Sequence, residues 1–178
     1  MKKSIELGPN DHAALYVGQS IKTGEGIFST VDFGRGKYLA PFDGIIYNAV
    51  FDIDLPKEQR GFPIQITGSQ MQSASGIAKL VNHSCDPNCG LKFFNGWYWI
   101  YTRRPIVAGE QITWDYALSQ WRNDVIFYPS GDCVCESARC RGINLGCESL
   151  PESFVREYKE QNLFTAYNLL QLRTIRGL

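Results

Sequence analysis

The chain has 178 residues, 44% of them hydrophobic, enough for one domain with a substantial core and no reason in length alone to divide it. Eighteen Lys and Arg balance eighteen Asp and Glu, so no net field steers the chain to nucleic acid or to an anionic membrane, and direct nucleic-acid binding is not expected. The first residues are charged but lack the apolar stretch of a secretory leader, and no apolar run approaches the ~20 residues of a membrane span; a soluble, intracellular protein with no membrane partner is predicted.

Residues 1–13 mix charge with Gly8, Pro9 and Asn10 and predict a flexible arm with His12 at the surface. From 14 to 44, short β-prone runs at 15–17, 27–31 and 38–42 alternate with glycine turns, which predicts a meander of short strands. Gly24 and Gly26 flank Glu25, so that the backbone can bend tightly there and offer main-chain groups to a ligand at close range. The polar stretch 48–61 reads as an exposed excursion, and 62–67 alternates like a half-buried strand. Residues 77–81 read as a last turn or strand delivering Asn82. The run 82–89, Asn-His-Ser-Cys-Asp-Pro-Asn-Cys, suits neither helix nor strand. Pro87 fixes its own φ and pushes Asp86 out of the helical region, while Asn and Asp side chains bond nearby backbone. An ordered turn presenting polar groups follows.

Farther along, 91–94 and 97–101 flank Asn95-Gly96, the dipeptide suited to a type I′ hairpin turn. The aromatic residues of this hairpin read as cross-strand core pairs, because no basic groove accompanies them as a base-stacking platform would need. Gly109-Glu110 turns into a short strand at 111–114, and Tyr116 lies just past its end, where functional groups are displayed on a rigid support. Beyond the cysteine cluster, Ser149-Leu150-Pro151-Glu152 has capping-box spacing and predicts helices over 150–161 and 162–175, with Leu163, Tyr167, Leu170 and Thr174 on one face. They form an amphipathic cap on the domain.

Six cysteines without a leader, three of them in C-x-C-x4-C spacing, favour metal ligation over disulfides. Cys133, Cys135 and Cys140 supply three thiolates of a tetrahedral Zn²⁺ site within eight residues. The fourth ligand comes from elsewhere, with Cys85, Cys89 and Cys147 as candidates.

Asn82 to Asn88 resembles the N-H-S-C-x-P-N signature of SET-domain protein lysine methyltransferases. Four further segments resemble that family in order: Gly24-Glu25-Gly26, Phe42-Asp43-Gly44, the segment Gly109 to Tyr116 (G-E-x-x-T-x-D-Y), and the post-SET cysteines 133–140. The resemblance implies a mainly β SET fold of short sheets with pseudoknot-like threading and C-terminal helices. It divides the chain into an arm (1–13), a SET domain (14–124) with a variable insert at 45–78 that shapes the peptide groove, a zinc-bound post-SET segment (125–147) and a helical cap (148–178). It selects Cys85 as fourth zinc ligand and leaves Cys89 and Cys147 as free thiols, Cys147 being the substitute. It implies S-adenosylmethionine held by Gly24, Glu25, Gly26, Asn82, His83 and Tyr116, a lysine channel of Phe42, Trp114 and Tyr116, and Tyr116 as catalytic residue. The partner is then a protein or peptide carrying the target lysine, histones among the candidates. The chain departs from the family in Lys79 for Arg, in Phe42 for Tyr, and in Trp114 where Phe or Tyr sets the number of methyl groups. Phe42 and Trp114 are what a second function would show, a non-catalytic, zinc-stabilised SET-like module that binds peptide or cofactor without turnover.

Overall fold

The structure, a computed structural model, describes residues 14–20, 23–60, 63–122 and 132–177. The arm expected over 1–13, with His12, and the start of the zinc segment at 125–131 lie outside them. In chain order the strands are β1 (Leu15–Ser20), β2 (Gly24–Ser29), β3 (Tyr38–Phe42), β4 (Ile46–Asn48), β5 (Ile64–Thr67), β6 (Gln70–Gln72), β7 (Asn82–His83), β8 (Cys89–Phe94), β9 (Trp97–Thr102) and β10 (Thr113–Trp114), followed by helices α1 (Glu152–Glu160) and α2 (Ala166–Arg176). They make four small sheets: β1-β2, β3-β9-β8, β4-β6-β5, and the parallel pair β7-β10. The chain is therefore mainly β with C-terminal helices.

β1 and β2 pair antiparallel in unbroken register from Leu15–Ser29 to Ser20–Gly24. Gly24 to Gly26 is thus the first half of a strand rather than the turn its composition predicts, and of the three residues Gly24 alone has positive φ, 73°. The glycines serve packing. A Cβ at Gly26 would lie 2.5 Å from Gln111 Nε2 and 2.7 Å from Asn82 Nδ2, so only glycine lets β2 approach those two side chains.

The β8–β9 hairpin forms as its turn chemistry requires, with Asn95 and Gly96 at φ 49° and 88°. Its aromatics divide along the strands. Tyr98 and Trp99 are buried, but Phe93, Phe94 and Trp97 at the tip are 62, 41 and 36% exposed, so the expectation of core pairs holds only away from the turn. The insert at 45–78 supplies the whole β4-β6-β5 sheet. Its polar stretch winds into two short 3-10 turns, Asp52–Asp54 and Lys57–Gln59, anchored by buried Leu55.

Ile27, Leu39, Phe42, Ile100, Ile112 and Leu118 lie in one core that the C-terminal helices and the link between them complete with Val155, Leu163 and Leu172. Burying each such side chain contributes about 2 kcal/mol. The helices begin later than predicted. Ser149 lies in a 3-10 turn, Cys147–Ser149, and Pro151 takes the N-cap place of α1 with no side-chain cap, so the capping box does not form. Asn162 at φ 52° breaks the chain, and α2 starts only after Thr165, whose hydroxyl accepts from Asn168 N. The shifted start rotates the buried face: Asn168 and Leu172 point inward, while Leu170 and Thr174, predicted to share the apolar stripe, are exposed.

Candidate active site

The parallel β7-β10 pair brings the 82–89 turn against the segment that ends in Tyr116, with Asn82 opposite Thr113 and His83 opposite Trp114. Asn88 fixes this register. Its buried amide donates to Glu110 Oε1 (2.9 Å) and the Gln111 carbonyl (2.7 Å) and accepts from Thr113 N (2.9 Å).

On one side of the pair lies a narrow pocket lined by Phe42, Pro63, Val81, Trp114, Tyr116 and Gln120, with Lys79 also reaching it. The structure thus brings together the three residues expected to line a channel. Phe42 and Trp114 meet edge to face at 6.0 Å, and the Trp114 and Tyr116 rings lie 5.1 Å apart. Both polar tips reach one acceptor: Trp114 Nε1 donates to the Val81 carbonyl at 3.2 Å and Tyr116 Oη to the same oxygen at 3.4 Å. Tyr116 opens a single 3-10 turn, Tyr116–Leu118, capped by the Asp115 side chain, which accepts from Ala117 N at 3.1 Å.

On the other side, Asn82 Nδ2 donates to Thr23 Oγ1 (2.8 Å) and to the Glu25 carbonyl (2.9 Å), tying the start of β2 to β7. The residues expected to hold a cofactor therefore meet here: Gly24, Glu25, Gly26, Asn82 and His83. Gln111 Nε2, beside Gly26, is buried and without a hydrogen-bond partner among the described residues. An unspent buried donor beside the bare glycine backbone fits a ligand that brings its own acceptors.

His83 joins the two sides. Its Nδ1 accepts from Tyr116 N at 3.3 Å, so the ring proton sits on Nε2, 3.4 Å from Cys85 Sγ. Burial, only partly offset by the Asp115 carboxylate, lowers the pKa of His83 to about 4, and the ring is neutral near pH 7.

Cys85, Cys133, Cys135 and Cys140 place their four sulfurs within 4.8 Å of one another, with Cys85 and Cys133 Sγ 3.6 Å apart. A tetrahedral zinc with Zn–S bonds of ~2.3 Å sets its sulfurs ~3.8 Å apart, so the cluster fits that ion. Backbone amides of Cys85, Arg141 and Gly142 donate to Cys135, Cys85 and Cys140 sulfurs, each at 3.4 Å, and suit thiolates. Cys147 and Cys89 are buried outside this cluster.

Three residues of this assembly had no place in the sequence-based site: Asp115, Arg141 and Tyr158. Asp115 is wholly buried and takes a bidentate pair from Arg141 (2.6 and 3.0 Å) and a hydrogen bond from Tyr158 Oη (3.0 Å). Arg141 follows Cys140, the last of the clustered cysteines, so the pair and Tyr158 clamp the cysteine segment and α1 onto the residue before Tyr116. Arg141 and Arg139 also lie over the Phe154 ring at 5.1 and 4.4 Å. The signals in the sequence are slight: Asp115 is the acid of the G-E-x-x-T-x-D-Y segment, and Arg141 is a cation beside Cys140. Arg141→Met strands a buried carboxylate, which typically costs 3 kcal/mol or more. A fall in Tm of roughly 6–12 °C is expected for a domain this size, and an unchanged Tm by calorimetry would show the pair to be energetically neutral.

In solved structures the architecture has a counterpart in the crystal structure of KRYPTONITE in complex with mCHH DNA, H3(1-15) peptide and SAH, at TM-score 0.56 and 20% identity over 72% of this chain and 29% of that one. That likeness defines the class of fold. A SET domain model matches residues 24–117, and the chain belongs to the SET-domain family. Among curated relatives, a histone-lysine N-methyltransferase, H3 lysine-4 specific, of Saccharomyces cerevisiae is 37% identical over 38% of this chain and 6% of its own length. One of the same description from Emericella nidulans is 28% identical over 78% of this chain and 10% of its own length. The histone-lysine N-methyltransferase Set2 of Drosophila melanogaster is 38% identical over 39% of this chain and 3% of its own length. This chain thus spans a tenth or less of each of the three. No helix among the described residues is long and apolar enough to cross a membrane.

Proposed function

We propose that this chain is an S-adenosylmethionine-dependent protein lysine N-methyltransferase. The observation that carries this is the convergence of Tyr116, Phe42, Trp114 and the Val81 carbonyl on one pocket, joined through the β7-β10 pair to the Gly26–Asn82–Gln111 contact. When bound, S-adenosylmethionine supplies an electrophilic methyl group on a sulfonium sulfur. Lysine must arrive at it as the neutral amine, since the ammonium, with pKa about 10.4, has no lone pair. The apolar walls disfavour the charged form. Tyr116 Oη, held by the Val81 carbonyl, orients amine and methyl group through conventional and C–H hydrogen bonds. The amine lone pair then forms the N–C bond, the S–C bond electrons stay on sulfur, and the new ammonium releases one proton to water.

In the same proposal Gly24, Glu25, Gly26, Asn82, His83 and Tyr116 hold the cofactor, and Cys85, Cys133, Cys135 and Cys140 hold one zinc ion. The SET domain runs over 14–124, the zinc segment over 125–147 and the helical cap over 148–178, with the insert at 45–78 lining the peptide groove. Histone H3 is the first substrate to try, because the relatives act on it by name and KRYPTONITE was crystallised with an H3 peptide. Transfer of tritium from labelled S-adenosylmethionine to H3 or to a mixed protein extract tests the activity. Cofactor binding without any transfer would favour the non-catalytic module instead.

The number of methyl groups follows from Trp114. Its N–H is already engaged by the Val81 carbonyl, and Phe42 has no hydroxyl, so no phenol beside Tyr116 restrains a partly methylated amine. We expect di- or trimethyl-lysine from an unmodified peptide, and a shift toward monomethyl in Trp114→Tyr. Mass spectrometry that finds only monomethyl product from the wild type would show that indole bulk decides the outcome.

A further inference from the structure

Gln120 lies one turn beyond Tyr116, its backbone held at both ends. Its N–H donates to the Tyr116 carbonyl at 3.0 Å, and its own carbonyl accepts from Cys147 N at 2.8 Å. The side chain lines the same pocket as Phe42, Trp114 and Tyr116. Its Oε1 is buried and has no hydrogen-bond partner among the described residues. A buried acceptor left unpaired is destabilising, and native proteins keep such a group chiefly where a ligand satisfies it. Beside Tyr116, whose hydroxyl is assigned to the transfer itself, the other polar groups of the pocket do not offer an equivalent. The Val81 carbonyl already accepts from Trp114 and Tyr116, and Lys79 carries the same charge as an incoming lysine.

We propose that Gln120 Oε1 is the acceptor that receives the side-chain ammonium of the substrate lysine and so helps select lysine in the channel. This rests on the methyltransferase function proposed above. The chemistry suits an amide. A neutral oxygen accepts from the arriving ammonium and can still accept from the amine, and it favours the charged form far less than a carboxylate at the same place, which would oppose deprotonation.

The test uses the whole chain, a lysine peptide from the H3 N-terminus or a peptide library that the wild type methylates, and the same peptide with norleucine for lysine. Loss of one charge-assisted hydrogen bond predicts that Gln120→Leu raises KM for the lysine peptide about tenfold, with kcat changed less than about threefold. The affinity difference between the lysine and norleucine peptides narrows by a similar factor. In Gln120→Glu the rising limb of the pH–rate profile moves up by about one unit, because the new carboxylate raises the amine pKa. Zinc content and Tm confirm that each variant is folded. Unchanged KM and lysine preference in folded Gln120→Leu overturn the proposal, as does an unmoved profile in Gln120→Glu should the leucine variant fail to fold. A wild type that methylates no peptide overturns the underlying activity and this contact with it, and is recognised before either variant is made.

Discussion

Tyr116→Phe is expected to lower methyl transfer by about two to three orders of magnitude, the usual consequence of losing one group positioned on a transition state. The hydroxyl shares the Val81 carbonyl with the Trp114 indole, so removing it leaves that oxygen partnered and the surrounding aromatic contacts with Trp114 and His83 in place. The backbone N–H of residue 116 still donates to His83 Nδ1. Tm and zinc content should therefore stay close to wild type while kcat collapses. Single-turnover rates measured beside cofactor affinity separate the two quantities, and activity within about threefold of wild type would place the chemistry elsewhere.

Cys85→Ser is expected to remove zinc and, with it, most activity. In the proposed site Cys85 is the ligand from the 82–89 turn, and its amide reaches Cys135 Sγ across 50 residues of chain. Structural zinc sites hold their ion with apparent free energies of roughly 10–16 kcal/mol, and that energy is folding energy for the segment they organise. The loss extends beyond the cluster, because the sulfur faces His83 Nε2 and the same ring takes the amide proton of Tyr116. Elemental analysis should fall from one zinc per chain to near none in Cys85→Ser and remain at one in Cys147→Ser, whose thiol lies outside the cluster. Zinc retained in the first variant and lost in the second would reverse the ligand assignment.

What could be read in advance was local. Asn95-Gly96 declares its turn through backbone conformations few other residue pairs tolerate, and C-x-C-x4-C declares a metal through ligand number and spacing. Gly24 to Gly26 was misread because glycine permits both a bend and a close approach, and composition does not distinguish them; the neighbours that decide, Gln111 and Asn82, are far away in sequence. Ser149 has the right spacing for a cap, yet the fold spends that turn on a 3-10 segment ahead of Pro151. Asp115 enters the sequence only as the acid of the D-Y segment, and Arg141 and Tyr158 carry no pattern at all. Their pairing is set by the docking of a post-cysteine segment and a helix onto the domain, which no window of sequence contains. Gln120 is an ordinary polar residue until its oxygen is found buried beside Tyr116.

The clamp on Asp115 also sets an order of events during synthesis. Tyr158 follows Asp115 by 43 residues, which at the usual pace of translation, 5–20 residues per second, is a delay of roughly 2 to 9 s. Throughout that interval the chain already displays Asn82, His83, Cys85 and Tyr116, yet lacks the tyrosine that joins Arg141 in holding Asp115 beneath them. The support under Tyr116 is therefore completed from downstream, and the carboxylate that precedes Tyr116 waits for α1 to emerge before its last partner arrives.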